Sequence, residues 1–402
     1  MLKPRYAALL ATTLLLLSAC STGDTPNETP SASTETPSTS TETPSTSTDG
    51  SPSNYIQIAA GGSHTCALLD TGGVQCWGHN FNGHLGESTP PDWKPTSEDV
   101  VGLSSKVVSI AAGHLHTCAV LDTGGVQCWG HNLDGQLGGF SSTYMTNTPV
   151  TVVGLSSKVV SVVAGAEHTC ALLGTGGVQC WGDSTMNDSG PPRDVEGLSS
   201  KAVSISAVWQ HTCAVLDTGG VQCWGWNNKG QLGNGTEIAS DTPVDVVGLS
   251  SKAVSIAAGT LSTCALLDTG GVQCWGYNLG GELGNGTEIA SGTPVDVVGL
   301  SAKVVSIAFG DAVCALLDTG GVQCWGDNED GQLGNGNVTN SSTPVDVVGL
   351  SAKVVSIAAG GYHMCAVLDT GSAQCWGSNS DGQLGNGNVA NSSTPVDVTE
   401  HR

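Results

Sequence analysis

The stretch HTCALLDTGGVQCWG, residues 64–78, returns six more times with small changes. Fourteen of the fifteen cysteines belong to these copies and fall into seven pairs, each with nine residues between partners. They are Cys66 and Cys76, Cys118 and Cys128, Cys170 and Cys180, Cys213 and Cys223, Cys264 and Cys274, Cys314 and Cys324, and Cys365 and Cys375. Within the first copy, Asp70-Thr71-Gly72 has the chemistry of a three-residue hairpin loop, a type I turn closed by a left-handed residue. Glycine takes that last place without strain. The first glycine of TGG is present in all seven copies, whereas the second becomes Ser372. The loop fixes a register in which Leu69 faces Gly73, Leu68 faces Val74 and Cys66 faces Cys76. Cys66, Leu68, Val74 and Cys76 then share one face of the hairpin, with Thr65 and Trp77 on the other.

Opposed residues on antiparallel strands have Cα atoms about 4.5 to 5.5 Å apart, within disulfide range. Seven disulfides inside the repeats are therefore expected, each worth roughly 2 to 3 kcal/mol in the chain-entropy account. Nine intervening residues do not suit a zinc knuckle, and no pair forms a CxxC redox motif.

Working outward, successive pairs begin 52, 52, 43, 51, 50 and 51 residues apart. Seven units of this length, built from short apolar runs and glycine, predict an all-β, seven-bladed propeller of four-stranded antiparallel blades over residues 55–402. In unit one the strands are expected at Ile56 to Ala60, Thr65 to Leu69, Gly73 to Trp77 and near Glu98 to Val101. Unit three lacks GQLG and is short, which leaves its outer strand in doubt. Two closures of the ring are open: each unit is one blade, or a blade borrows strands from adjacent units so that the termini meet. The second is preferred, because it ties the ring shut.

The order V-S-I-A-A-G, H-T-x-A-L, G-V-x-x-W-G-x-N-x-x-G-Q-L-G resembles the repeats of the regulator-of-chromosome-condensation family over about residues 55–398, and the paired cysteines resemble an exported bacterial branch of it. The start of the chain agrees with export. Lys3 and Arg5 precede an apolar run from Ala7 to Leu17, too short to span a bilayer and suited to a signal peptide. The run ends Leu17-Ser18-Ala19-Cys20, which resembles the lipobox of bacterial lipoproteins, and that resemblance implies cleavage before Cys20 and acylation of its thiol. Residues 1–19 are thus expected to be a signal peptide. Residues 20–54, almost entirely Ser, Thr, Pro, Glu and Gly, have nothing to bury and would form a disordered tether reaching on the order of 30 Å as a coil. The expected location is the cell envelope, anchored by palmitate or a similar acyl chain on the periplasmic or extracellular side.

Charge narrows the partner. With 12 Lys plus Arg against 35 Asp plus Glu, the net charge is −23, which repels nucleic acid phosphates. The DTGG turns and VGLSSK connections fall on one end of the propeller with six lysines, Lys106 to Lys353. The other end carries the loops in which units differ, and the aromatics outside the repeat signature gather there: Phe81, Trp93, Phe140, Tyr144, Trp209, Trp226, Tyr277 and Tyr362. A partner, protein or glycan, is expected to dock on Trp209, Trp226, Tyr277 and Tyr362, surrounded by Glu167, Asp183, Asp311 and Asp327. The chain is read as a monomer, with no cofactor.

Catalysis finds little support. No nucleophile elbow, P-loop or HExxH is present. The histidine before the first cysteine recurs in five units and reads as structural. His79, His84, His114, His116 and His131 crowd units one and two, but no carboxylate spacing completes a ligand set, so they read as solvated loop residues and no metal is assigned. Glu329 and Asp330 read as loop charges. A glycan-acting lyase or hydrolase in the central funnel is the alternative function.

Overall fold

The computed structural model describes residues 53–87, 92–139, 143–183 and 190–399. The expected signal peptide, Cys20 and nearly all of the tether lie outside these residues, as does Phe140. Among the described residues there is no helix; seven four-stranded antiparallel sheets follow one another in the chain.

Blade one consists of β1 (Tyr55–Ala60), β2 (His64–Leu69), β3 (Val74–His79) and β4 (Trp93–Asp99). The β2–β3 register pairs Thr65 with Trp77, Cys66 with Cys76 and Leu68 with Val74, as the turn chemistry requires. Gly72 has φ +87°, and a glycine occupies the same conformation in every other blade. The cysteines sit at a position without ladder hydrogen bonds, where opposed backbones approach most closely. All seven disulfides are present, with Cα separations of 4.0 to 4.1 Å. The outer strand starts earlier and ends earlier than its sequence suggests, because Lys94 and Pro95 weaken the strand signal. Pro recurs in this edge strand (Pro149, Pro243, Pro294, Pro344, Pro395), where a missing N–H costs no ladder bond and blocks further pairing. In blade three the outer strand shrinks to Arg193–Asp194.

The two faces of each hairpin make the core. Cys66, Leu68, Val74 and Cys76 pack against Ile110, Leu121 and Trp129 of blade two. Trp77, on the opposite face, packs against Cys365, Val367 and Cys375 of blade seven. Each signature tryptophan is thus sealed onto the preceding blade's disulfide.

Ring closure departs from the preferred expectation. Every blade is one unit, with its strands in chain order, and no strand is exchanged between the ends. Blade seven closes on blade one through contacts like those at other interfaces. The Tyr55 N–H donates to the Gly371 carbonyl at 2.9 Å, and the Trp77 indole to the Gln383 carbonyl at 2.9 Å. A swapped strand is unnecessary where the ordinary interface already buries a tryptophan.

Candidate functional site

The first strand of each blade lines the axis, so the loops after it and after the third strand open on the same end. In six blades the residue after WG donates its N–H to the carbonyl of the residue before the blade's second strand: His79 to Ser63, His131 to Leu115, Asp183 to Glu167, Trp226 to Gln210, Tyr277 to Leu261 and Ser378 to Tyr362. The two positions that vary most along the sequence are therefore neighbours in space, blade after blade.

The aromatics of this end are displayed. Trp209, Trp226 and Tyr362 are 42%, 39% and 46% exposed, while Tyr277 is half-buried. Trp93 and Tyr144 are also exposed, but Trp93 begins the outer strand of blade one instead of lying in a loop. Trp209 has φ +42°, the one positive φ outside glycine among the described residues. It stands where Gly62 and Gly361 stand in their blades, and such a conformation costs roughly 1 to 2 kcal/mol. Its indole lies 5.3 Å from the His114 ring, beside the mouth of the axial channel.

The carboxylates divide into two groups rather than one surround. Glu167 and Asp183 of blade three meet Asp134 of blade two. Burial raises the Glu167 carboxyl, Asp134 and Asp183 add to this, and a hydrogen bond from Gln210 opposes it. Asp134 is raised by burial, against the pull of His131. In the second group, Asp311 and Asp327 of blade six lie near Glu282 and Tyr362. Burial raises Asp311 although Thr260 donates to it at 2.6 Å. Tyr362 is raised first by Asp311, then by burial, Asp330 and Asp327. Glu282, raised by burial, replaces the usual glutamine of GQLG and accepts the Gly280 N–H at 3.0 Å. Asp134, Glu282 and Asp330 are the members that sequence reasoning missed. Glu282 left a trace, as the acidic residue in that column of the repeat.

The recurring histidine links blades. His64, His116, His168, His211 and His363 place Nε2 2.7 to 3.0 Å from the threonine hydroxyl of the next blade. Thr117 donates its hydroxyl proton to the His84 carbonyl at 2.9 Å, so it must accept from His64, which is therefore protonated at Nε2. Burial holds His116, His211 and His363 near a pKa of about 3, and His168 near about 4.

Of the remaining histidines of units one and two, His84 is buried, contrary to its reading as a solvated loop residue, and His79 and His131 end the third strands of their blades. His84 is 1% exposed, with its ring 4.5 Å from His64 and 5.2 Å from His79. His79, His114 and His131 are half-buried. Long repeat loops fold back onto the blade, which the residue types alone do not reveal. Among the described residues, no group of three His, Cys, Asp or Glu is placed to share a metal ion.

Comparison with known proteins agrees with this architecture. Two sequence profiles described as the regulator of chromosome condensation (RCC1) repeat match. One covers residues 123–172, 218–266, 269–317, 319–367 and 371–402. The other covers 55–83, 107–136, 159–188, 202–231, 253–282, 304–332 and 354–383. The chain is 31% identical over 271 residues to human E3 ubiquitin-protein ligase HERC2, covering 64% of this chain and 6% of that protein. It is 30% identical over 268 residues to the Arabidopsis thaliana ultraviolet-B receptor UVR8, covering 63% of this chain and 61% of the receptor. Among solved structures, Saccharomyces cerevisiae Prp20p superposes with a TM-score of 0.73 at 22% identity, over 86% of this chain and 87% of that one. Human WBSCR16 gives 0.74 at 24% identity, over 81% and 94%. At these identities the structures show the fold alone.

Proposed function

The chain belongs to the regulator of chromosome condensation repeat family, and from that premise we propose that it is an envelope-anchored binding protein that grips a protein partner with the variable end of its propeller. Propellers of this family commonly serve as scaffolds for protein interaction, and the Prp20p structure is described with that protein's binding to Gsp1p and histones. The observation that carries the reading is the pairing of the two variable positions on one end of the blades. Trp226 and Tyr277 are the anchors, and the two carboxylate groups form the polar rim. Asn54 enters at the opposite end, where its carbonyl accepts the Asp70 N–H.

A glycan-acting enzyme in the central funnel is the rival reading. The axial channel offers about 40 Å³ of free space, and His114 is the one titratable side chain in its lining.

The test begins with the immobilised full chain in detergent and an envelope extract, followed by titration of the purified retained protein. Trp226→Ala with Tyr277→Ala should weaken that complex at least thirtyfold, about 2 kcal/mol, with little change in melting temperature. Charge reversal of Lys252 and Lys303 should leave it intact; the reverse pattern would put recognition on the wrong end. Metabolic labelling with palmitate should mark the native chain and spare Cys20→Ser. Equal labelling would remove the anchor from the proposal.

A further inference from the structure

Blade one departs from its siblings in the glutamine column of GQLG. Position 84 is histidine where Gln136, Gln231, Glu282, Gln332 and Gln383 stand in other blades. In blade two, the Gln136 amide donates to His131 Nδ1 at 3.0 Å. In blade one, two imidazoles meet instead, with His79 Nδ1 and His84 Nε2 3.4 Å apart. That separation is long for an N–H···O-type contact, which clusters at about 2.7 to 3.2 Å. It does suit two nitrogens sharing one ion: with metal–nitrogen distances of about 2.0 to 2.1 Å, the angle at the metal is about 110°, close to tetrahedral.

We propose that His79 Nδ1 and His84 Nε2 form a binding site for a divalent transition metal ion, whose remaining positions are open to water or to a donor from a partner. The backbone at His79 and the ring of His84 are held in place. His79 pairs across strands with Trp93, and its N–H donates to the Ser63 carbonyl at 2.9 Å. His84 is packed between His79 and His64. The buried Nδ1 of His84 has no hydrogen-bond partner. The same missing outer hydrogen bond weakens a site, and two protein ligands do not make a closed structural one. The ion is therefore an exchangeable one, of the kind that imidazole favours: copper(II), nickel(II) or zinc.

Calorimetric titration of the untagged full chain with copper(II), nickel(II) and zinc tests this, with electron paramagnetic resonance counting the nitrogens on copper(II). One ion per chain with two imidazole nitrogens is expected. His84→Gln restores the residue found in blade two and should weaken binding at least tenfold without lowering the melting temperature. His79→Gln should do the same, and His131→Ala should bind like the native chain. Absence of stoichiometric binding, or native affinity in both His79→Gln and His84→Gln, would overturn the site.

Discussion

Between blades one and two, His64 donates to Thr117, and the Trp129 indole donates to the His84 carbonyl at 2.9 Å. Between blades five and six the tryptophan bond is kept, from Trp325 to the Glu282 carbonyl at 3.0 Å, but Ser262 and Val313 stand where the histidine and threonine would be. Between six and seven, Ala312 and Met364 take those places. Five interfaces thus carry a buried polar latch, and the two that flank blade six are apolar, with Phe309, Val313 and Met364 in their cores. The tryptophan and its carbonyl are common to both kinds, so they hold the ring, while the latch is a separable addition. Blade six, freed of the latch and one residue shorter in its inner loop, is also where Asp311 reaches the mouth of the channel and meets Thr260. Local departures from a repeat often mark a site under another demand.

The largest expected effect tests what the two kinds of interface share. Trp129→Ala at a latched interface and Trp325→Ala at an apolar one should each cost about 3 to 5 kcal/mol, read from urea unfolding midpoints. A Trp325→Ala variant that is near-native in stability would show that the apolar interfaces are held by something other than the tryptophan.

The next effect separates them. Thr117→Val strands the His64 Nε2–H in a buried setting, while the His84 carbonyl keeps the Trp129 indole, and should cost about 1 to 3 kcal/mol. Met364→Leu conserves volume at the apolar interface and should cost less than about 1.5 kcal/mol. Equal losses from the two substitutions would mean that the latch contributes only its volume.

These contrasts also show what the sequence could and could not disclose. The hairpin register, the alternating faces and the cysteine pairs follow from Asp70-Thr71-Gly72 and a two-residue period, which are local. The five histidines are visible as a column, but their threonine partners lie a full repeat away, and only the stacking of blades brings them within reach. Closure was illegible for a related reason: Thr65 and His363 are the same pair as Thr117 and His64, so nothing in the chain marks the seam. At the candidate site, the variable columns could be found by aligning the units. Their division into two carboxylate groups depends on which blades are neighbours and how deeply each loop folds back, and that needs coordinates.

The smallest effect is that of a single substitution at Asp311, read against pH, to which the two regions respond with opposite signs. The latch histidines His116, His168, His211 and His363 have folded pKa values lowered to about 3 or about 4 by burial. In the unfolded chain they take up protons near pH 6.5. Between those limits the unfolded state binds more protons, so stability from the latches is intact above about pH 6.5 and is lost as the pH falls toward 3. Asp311 runs the other way. Its folded pKa is raised, so the folded state takes up its proton first and this carboxyl becomes less unfavourable as the pH falls. Asp311→Asn keeps an acceptor for Thr260 and removes the charge. It should raise the unfolding midpoint at pH 7.5 by an amount within about 1 kcal/mol, and the advantage over the native chain should shrink on acidification to pH 4, while both proteins lose stability as their histidines load. An advantage that grew on acidification would mean that the Asp311 carboxylate is stabilised by its surroundings, and the contrast between blade six and the latched interfaces would then rest on packing alone.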